Sequence, residues 1–262
     1  MTSLCLSTFG FGGVLLSFTA AANMPLGEPL VWAPLVVGAL CLVFFVRRQK
    51  GLTLPLVDLR IFDFKGYRAN LVSQCFLYGC FVGMTLIIPL TVVEAAGYTT
   101  FDAGLVLFPG ALAALVFEPG AGWLSDRFGT RRVAIAGGVM LSLGAVTIAF
   151  VPVSAPLWVF AACQAVRCMG LTTLIPSTTA AALGPLGKAG ITTDGSATLI
   201  MCRQISAALA TAVMVFLLKL FTTPETPVLG YSVALGFSGM LALLCLLCVV
   251  LFVHDGKGES DG

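Results

Sequence analysis

The stretch that decides how this chain is read is Gly122-Trp123-Leu124-Ser125-Asp126-Arg127-Phe128-Gly129-Thr130-Arg131-Arg132. Four charges are packed between two long apolar runs, and nothing charged follows through the whole of the next run. Asp126, Arg127, Arg131 and Arg132 are costly inside hydrocarbon, so the segment reads as a tight hydrophilic turn joining two membrane helices. Composition leads to the membrane independently. Of 262 residues, 58% are hydrophobic and only 10% are charged, with a mean hydropathy of +1.03. Soluble domains carry about 25% charged residues, so this chain has too few to cover a water-exposed surface of its size. The bilayer is the first expected partner. The net charge of +2 leaves no basic footprint for a nucleic acid, and none is expected as a partner.

A helix crosses the hydrocarbon in about 20 residues. Eight runs approach or exceed that length, at about 3–22, 30–46, 69–93, 103–123, 133–153, 157–183, 196–218 and 228–253. The first lacks a basic flank and is too long for a secretory signal, so it reads as a true span. Prolines 34, 89, 109, 119 and 176 lie inside runs, where membrane helices tolerate them because neighbours re-satisfy the freed backbone groups. Small residues such as Gly137, Gly138, Ala207 and Ala208 suit close helix approach. The expected fold is therefore an all-α integral membrane protein with eight transmembrane helices.

Lysine and arginine set the orientation. With the 47–68 loop inside, Arg47, Arg48, Lys50, Arg60, Lys65, Arg68, Arg127, Arg131, Arg132, Lys188 and Lys257 share the cytoplasmic face, and only Lys219 falls on the other. Both termini are then cytoplasmic. Arg167 and Arg203 fall within spans. The nine cysteines lie in or beside apolar runs without the spacing of a disulfide or metal framework, and read as small buried hydrophobes. His254 is the only histidine, so no metal site is expected. There is no G-x-S-x-G, no H-E-x-x-H and no histidine pair in any span, which argues against an intramembrane enzyme.

The 122–132 segment resembles the loop signature G-x-x-x-D-R-x-G-x-R-R of the major facilitator superfamily. Other segments resemble that superfamily's fourteen-helix drug:proton antiporter branch. They are Leu54-Pro55-Leu56-Val57-Asp58-Leu59-Arg60-Ile61-Phe62 before the seventh core helix, and Gly97-Tyr98-Thr99-Thr100-Phe101-Asp102-Ala103-Gly104-Leu105 with Pro109. Gln164-Ala165-Val166-Arg167-Cys168-Met169-Gly170 with Pro176 resembles the tenth core helix, and Arg203-Gln204 the eleventh. The resemblance implies a multi-pass transporter of the plasma membrane, common in bacteria, that exports small amphipathic, drug-like compounds. It implies the proton gradient as energy source, with no cofactor. It further implies that residues 1–53 correspond to a two-helix insert, 54–68 to a cytoplasmic linker, 69–253 to the C-terminal six-helix half and 254–262 to a cytoplasmic tail. No counterpart of the N-terminal half is found in these residues, and since such transporters rock one half against the other, the chain is expected to be a truncated product, one part of a split transporter, or a half that pairs with a separate chain or a second copy. A non-transporting remnant or accessory subunit is the alternative.

Within that frame Gly122, Asp126, Arg127, Gly129, Arg131 and Arg132 are expected to form a conformational latch, against the plainer reading of an orientation signal. The two glycines are expected to permit close packing and a tight turn. Glu118 is a candidate proton carrier, or a carboxylate reaching the cytoplasmic interface. Gln164 and Arg167 share a helix face, and read either as a cavity-facing counter-charge or as a structural interhelix hydrogen bond to backbone carbonyls. Arg203 reads as snorkelling or bridging to a neighbour, with substrate contact as the alternative. Asn70, Gln74 and Tyr78 form a polar stripe suited to an amphipathic compound or to ordinary interhelix packing.

Overall fold

In the computed structural model the described residues are 29–50, 59–187, 189–223 and 228–252, with scattered positions between 6 and 20. Helix α1 spans Pro29–Lys50, a short 3-10 turn covers Leu59–Asp63, and α2 spans Lys65–Leu90 and continues as a π turn over Thr91–Ala95. Five more helices follow: α3 Thr100–Phe128, α4 Thr130–Phe150, α5 Leu157–Gly187, α6 Thr192–Phe221 and α7 Leu229–Phe252. Among the described residues, α2 through α7 are the six helices long and apolar enough to cross a membrane. They correspond to the last six expected spans. The second expected span is helical as α1. The first lies largely outside the described residues, as do the linker positions 51–58 and the tail from residue 253.

The hydrophilic turn is shorter than its sequence suggests. Helix α3 runs through Asp126 and Arg127 to Phe128, and α4 starts at Thr130. Gly129 alone breaks the path, at φ +89°, a conformation that L side chains rarely adopt. Its N–H bonds to Ser125 O at 3.0 Å, and its carbonyl accepts from Val133 N at 3.3 Å. The two helix ends are therefore satisfied across a single residue. At the opposite end of α3, Thr99 and Asp102 form a reciprocal capping box. The Asp102 carboxylate accepts from Thr99 N at 3.0 Å and from the Thr99 hydroxyl at 2.7 Å.

Helices α2, α4, α5 and α7 make the inner bundle, with α3 laid mainly on α5 and α6 mainly on α2. The core runs through Leu77, Met84, Ile87, Leu141, Ile148, Leu174 and Val249. A second, smaller cluster at the charged end joins Ile61, Tyr67, Leu186 and Leu199. Tyr67 OH donates there to Gly195 O at 2.8 Å. The α4–α5 crossing is close because glycine allows it. A Cβ on Gly144 would lie 2.7 Å from the backbone N of Arg167, and one on Gly170 would overlap the backbone at Leu141. That approach sinks the Arg167 backbone against α4.

Candidate functional site

Two polar groups that the sequence places on separate helices meet inside the bundle. Gln74 of α2, fully buried, donates Nε2 to Thr178 Oγ1 at 2.8 Å and to Thr179 Oγ1 at 3.0 Å, both on α5. From the other side Arg203 of α6 donates Nη2 to the same Thr179 Oγ1 at 2.6 Å. Each threonine hydroxyl donates its own proton back along the helix, Thr178 to Leu174 O at 2.7 Å and Thr179 to Ile175 O at 2.6 Å. A hydroxyl has one donor and two lone pairs. Thr179 is thereby saturated, and three helices are tied at one oxygen. The arginine side chain reaches a neighbouring helix. It bridges.

The aromatic side chains extend this cluster. The Arg203 guanidinium lies over the Tyr78 ring, 4.9 Å from its centroid. Tyr78 meets Phe81 edge to face, with centroids 6.4 Å apart and planes at 86°. The guanidinium of Arg167 in turn lies 5.7 Å from the Phe81 centroid. Two intramembrane cations thus bracket one aromatic pair on α2, and cation–π contacts of this kind supply part of their stabilisation.

Arg167 has no exposed surface. Its Nε donates to Gln164 Oε1 at 2.9 Å, one turn back on the same helix. The expected pair is therefore intrahelical rather than a bond to a neighbour's backbone. Arg167 Nη1 and Nη2, Arg203 Nε, Gln74 Oε1 and Asn70 Oδ1 are buried without a hydrogen-bond partner. Asn70 uses its amide on Gly66 O at 2.9 Å, within α2. Native structures leave few buried polar atoms unpaired, and these five are distributed along α2, α5 and α6.

The other sequence candidates lie apart from this cluster. Glu118 is exposed on α3. Arg127 folds back on its own helix end, over Trp123 at 5.1 Å and Phe128 at 5.7 Å. Ser125 and Thr130 join across the turn at 3.3 Å, Arg131 is half-buried and Arg132 is exposed. The side chain of Asp126 lies outside the described residues. Gly129 makes the expected tight turn, but a Cβ on Gly122 would meet nothing within 4 Å, so close packing does not require that glycine. Among the described residues no group of three potential metal ligands is present, and the eight described cysteines are free.

Thr178, Thr179 and Phe81 belong to the cluster but were not expected from the sequence. The run Ser177-Thr178-Thr179 after Pro176 carried a signal. Three hydroxyl residues in an apolar span, next to a proline that removes a backbone donor, mark a place where the helix is polar inside. Phe81 carried none, since a phenylalanine in an apolar span has no distinguishing surroundings in the sequence.

Residues 71–262 match the Major Facilitator Superfamily. The chain is 29% identical over 213 residues to the uncharacterized MFS-type transporter YcnB of Bacillus subtilis, covering 81% of this chain and 45% of that protein. It is 27% identical over 269 residues to the lincomycin resistance protein LmrB of Listeria monocytogenes, covering 97% of this chain and 57% of that protein. A shorter stretch of 121 residues is 29% identical to the multidrug resistance protein Stp of Mycobacterium tuberculosis, covering 46% and 22% respectively. The chain thus spans about half the length of the curated relatives it matches over most of its own. With six apolar helices in the order and positions its motifs imply, and the superfamily match covering most of its length, this chain belongs to the major facilitator superfamily.

Proposed function

We propose that this chain takes part in proton-coupled export of drug-like or hydrophobic small molecules. The observation that carries the reading is the cluster of Gln74, Tyr78, Thr179 and Arg203, a polar and aromatic site held by three helices at membrane depth. Polar groups buried in a membrane bundle mark substrate or ion paths, and a few fixed polar groups in an apolar surround suit an amphipathic ligand. The names of the relatives LmrB and Stp, which refer to lincomycin and multidrug resistance, support drug-like substrates. Residues 69–253 then serve as one six-helix half, 1–53 as a two-helix insert, 54–68 as a cytoplasmic linker and 254–262 as a tail. A second six-helix half supplies the surface against which this one rocks. Both termini face the cytoplasm of a bacterial cell, the plasma membrane being the site of action. The Asp126–Arg132 turn acts as the latch between states, and Glu118 serves in the proton path.

The test is accumulation of a fluorescent hydrophobic dye in cells expressing the chain together with a matching N-terminal half. Lower accumulation, abolished by an uncoupler and by Asp126→Ala, is the expected result. Unchanged accumulation with every complementary half would sink the transport reading in favour of a non-transporting membrane subunit. Efflux that persists after the uncoupler would sink the proton coupling alone.

A further inference from the structure

We infer that the end of α3 beside the Gly129 turn seats an anionic phospholipid, with Arg127 as the phosphate-binding group and Trp123 and Phe128 as the aromatic platform next to it. The inference goes beyond the export reading and stands without it.

The membrane-crossing part of α3 ends at Ser125. Trp123 lies just inside that limit, and Arg127, Phe128, Arg131 and Arg132 lie just beyond it. Tryptophan is enriched at this level of a membrane, where its ring meets hydrocarbon and its N–H meets water. Trp123 and Phe128 are 58% and 51% exposed, so neither ring is committed to the core of the bundle. The Arg127 side chain is exposed too, and its guanidinium lies over both rings. A ring attracts the cation without neutralising it. The contact leaves N–H donors of the guanidinium unused, and two of them fit two oxygens of a phosphate bidentately. The same face of α3 continues into the hydrocarbon. Leu112, Val116, Gly120, Trp123 and Arg127 recur at helical spacing on one side, and all are exposed. A Cβ on Gly120 would meet nothing within 4 Å, so the strip is low between Val116 and Trp123. A charged head beside an arginine, with an apolar tail in line along one helix face, is the shape of a phospholipid.

Charge decides which phospholipid. The segment 122–132 carries three arginines against one aspartate, a surplus of positive charge. Arg131 and Arg132 lie in the first turn of α4, where the helix dipole disfavours cations. Holding like charges around one turn costs stability, and a bound anion lowers that cost. A phosphatidylcholine phosphate arrives with its own quaternary ammonium, which the surplus repels. Phosphatidylglycerol carries no cation. The seat therefore favours the anionic lipid.

The test is tryptophan quenching in the full chain in nanodiscs, with no substrate and no gradient. The tryptophans are Trp32, Trp123 and Trp158. A Trp32→Phe/Trp158→Phe variant keeps Trp123 as the emitter, and a Trp32→Phe/Trp123→Phe variant keeps Trp158, at the other end of the bundle. The probes are phosphatidylglycerol and phosphatidylcholine brominated in their acyl chains, each mixed with the unbrominated form of the other. Quenching then reports which lipid lies against the ring. At Trp123 phosphatidylglycerol is expected to be preferred about five-fold or more, the attraction of one basic residue at a membrane surface, and at Trp158 not at all. Arg127→Gln, at an exposed position that leaves the core untouched, should abolish the preference at Trp123. Arg68→Gln removes the same charge from an exposed position on α2 and should leave the preference nearly unchanged. Equal quenching by the two lipids at Trp123, a preference of the same size at Trp158, an equal loss with Arg68→Gln, or a preference that survives Arg127→Gln would each overturn the inference. So would an absence of quenching by either lipid at Trp123, which would mean that a protein surface covers this face. Displacement of phosphatidylglycerol by inorganic phosphate would make the ligand a soluble anion and overturn the lipid seat as well. Driven efflux is not measured here, so failure of this proposal leaves the export reading standing, and the reverse holds.

Discussion

The Tyr231 hydroxyl at the start of α7 donates to the Glu94 carboxylate in the π turn that ends α2, at 2.6 Å. This bond joins the two inner helices at the end of the bundle opposite the Asp126–Arg132 turn. Tyr231 is buried while Glu94 is exposed, so solvent weakens a charge-assisted bond that would otherwise be strong. Tyr231→Phe should cost about 1 kcal/mol. That amounts to a drop of about 2–4 °C in the unfolding midpoint, followed by the exposure of buried thiols to a fluorogenic maleimide. Glu94→Gln in the same background should add little further, because the two residues act as one pair.

Gly144 sets how deeply Arg167 is buried. Any side chain there meets the Arg167 backbone, and the helices cannot separate without opening the α4–α5 packing. Gly144→Leu should destabilise by about 1–3 kcal/mol, and should also make Cys168 and Cys163 more reactive toward maleimide. Gly104→Leu serves as the control, because a Cβ at Gly104 meets nothing within 4 Å. A Gly144→Leu protein with the control's stability would contradict the close crossing.

The Thr99–Asp102 capping box satisfies the start of α3. Thr99→Ala should cost about 1 kcal/mol, measured by the same thermal assay. Asp102→Asn is expected to retain much of that stability, since the amide oxygen still accepts from the backbone of Thr99.

The turn at Gly129 is expected to face the cytoplasm. An epitope inserted after Gly129 should be reached by antibody only in permeabilised cells, whereas one inserted after Val153 should be reached in intact spheroplasts. The reverse pattern would invert the assigned orientation. Gly129→Ala, which forces a side chain into φ +89° and ψ 142°, should cost about 1–3 kcal/mol.

Much of the fold was legible in local composition. A helix in lipid satisfies its backbone hydrogen bonds within itself, so a run of about twenty apolar residues identifies it without reference to partners. The six helices α2 through α7 appear where their apolar runs lie. The ends moved for a local reason. Charged residues are tolerated in a helical turn at the membrane surface, so α3 absorbs Asp126 and Arg127 and leaves Gly129 as the whole connection. The candidate site was legible only as residue types. Gln74, Tyr78, Gln164, Arg167 and Arg203 stood out because polar and charged side chains are rare in hydrocarbon.

What the amino-acid sequence determined by itself is the all-α membrane class, the positions of six spans and the identity of the costly polar residues within them. Each follows from the free energy of a single segment in hydrocarbon. Only the tertiary structure decided which of those residues meet. It joined Gln74 and Arg203 at the Thr179 hydroxyl, placed Phe81 beneath Arg167, and left Arg127 on its own helix end. These contacts depend on helix rotation and crossing, which are set by packing at places such as Gly144 and Gly170 and leave no periodic mark in a helix that is apolar on every side.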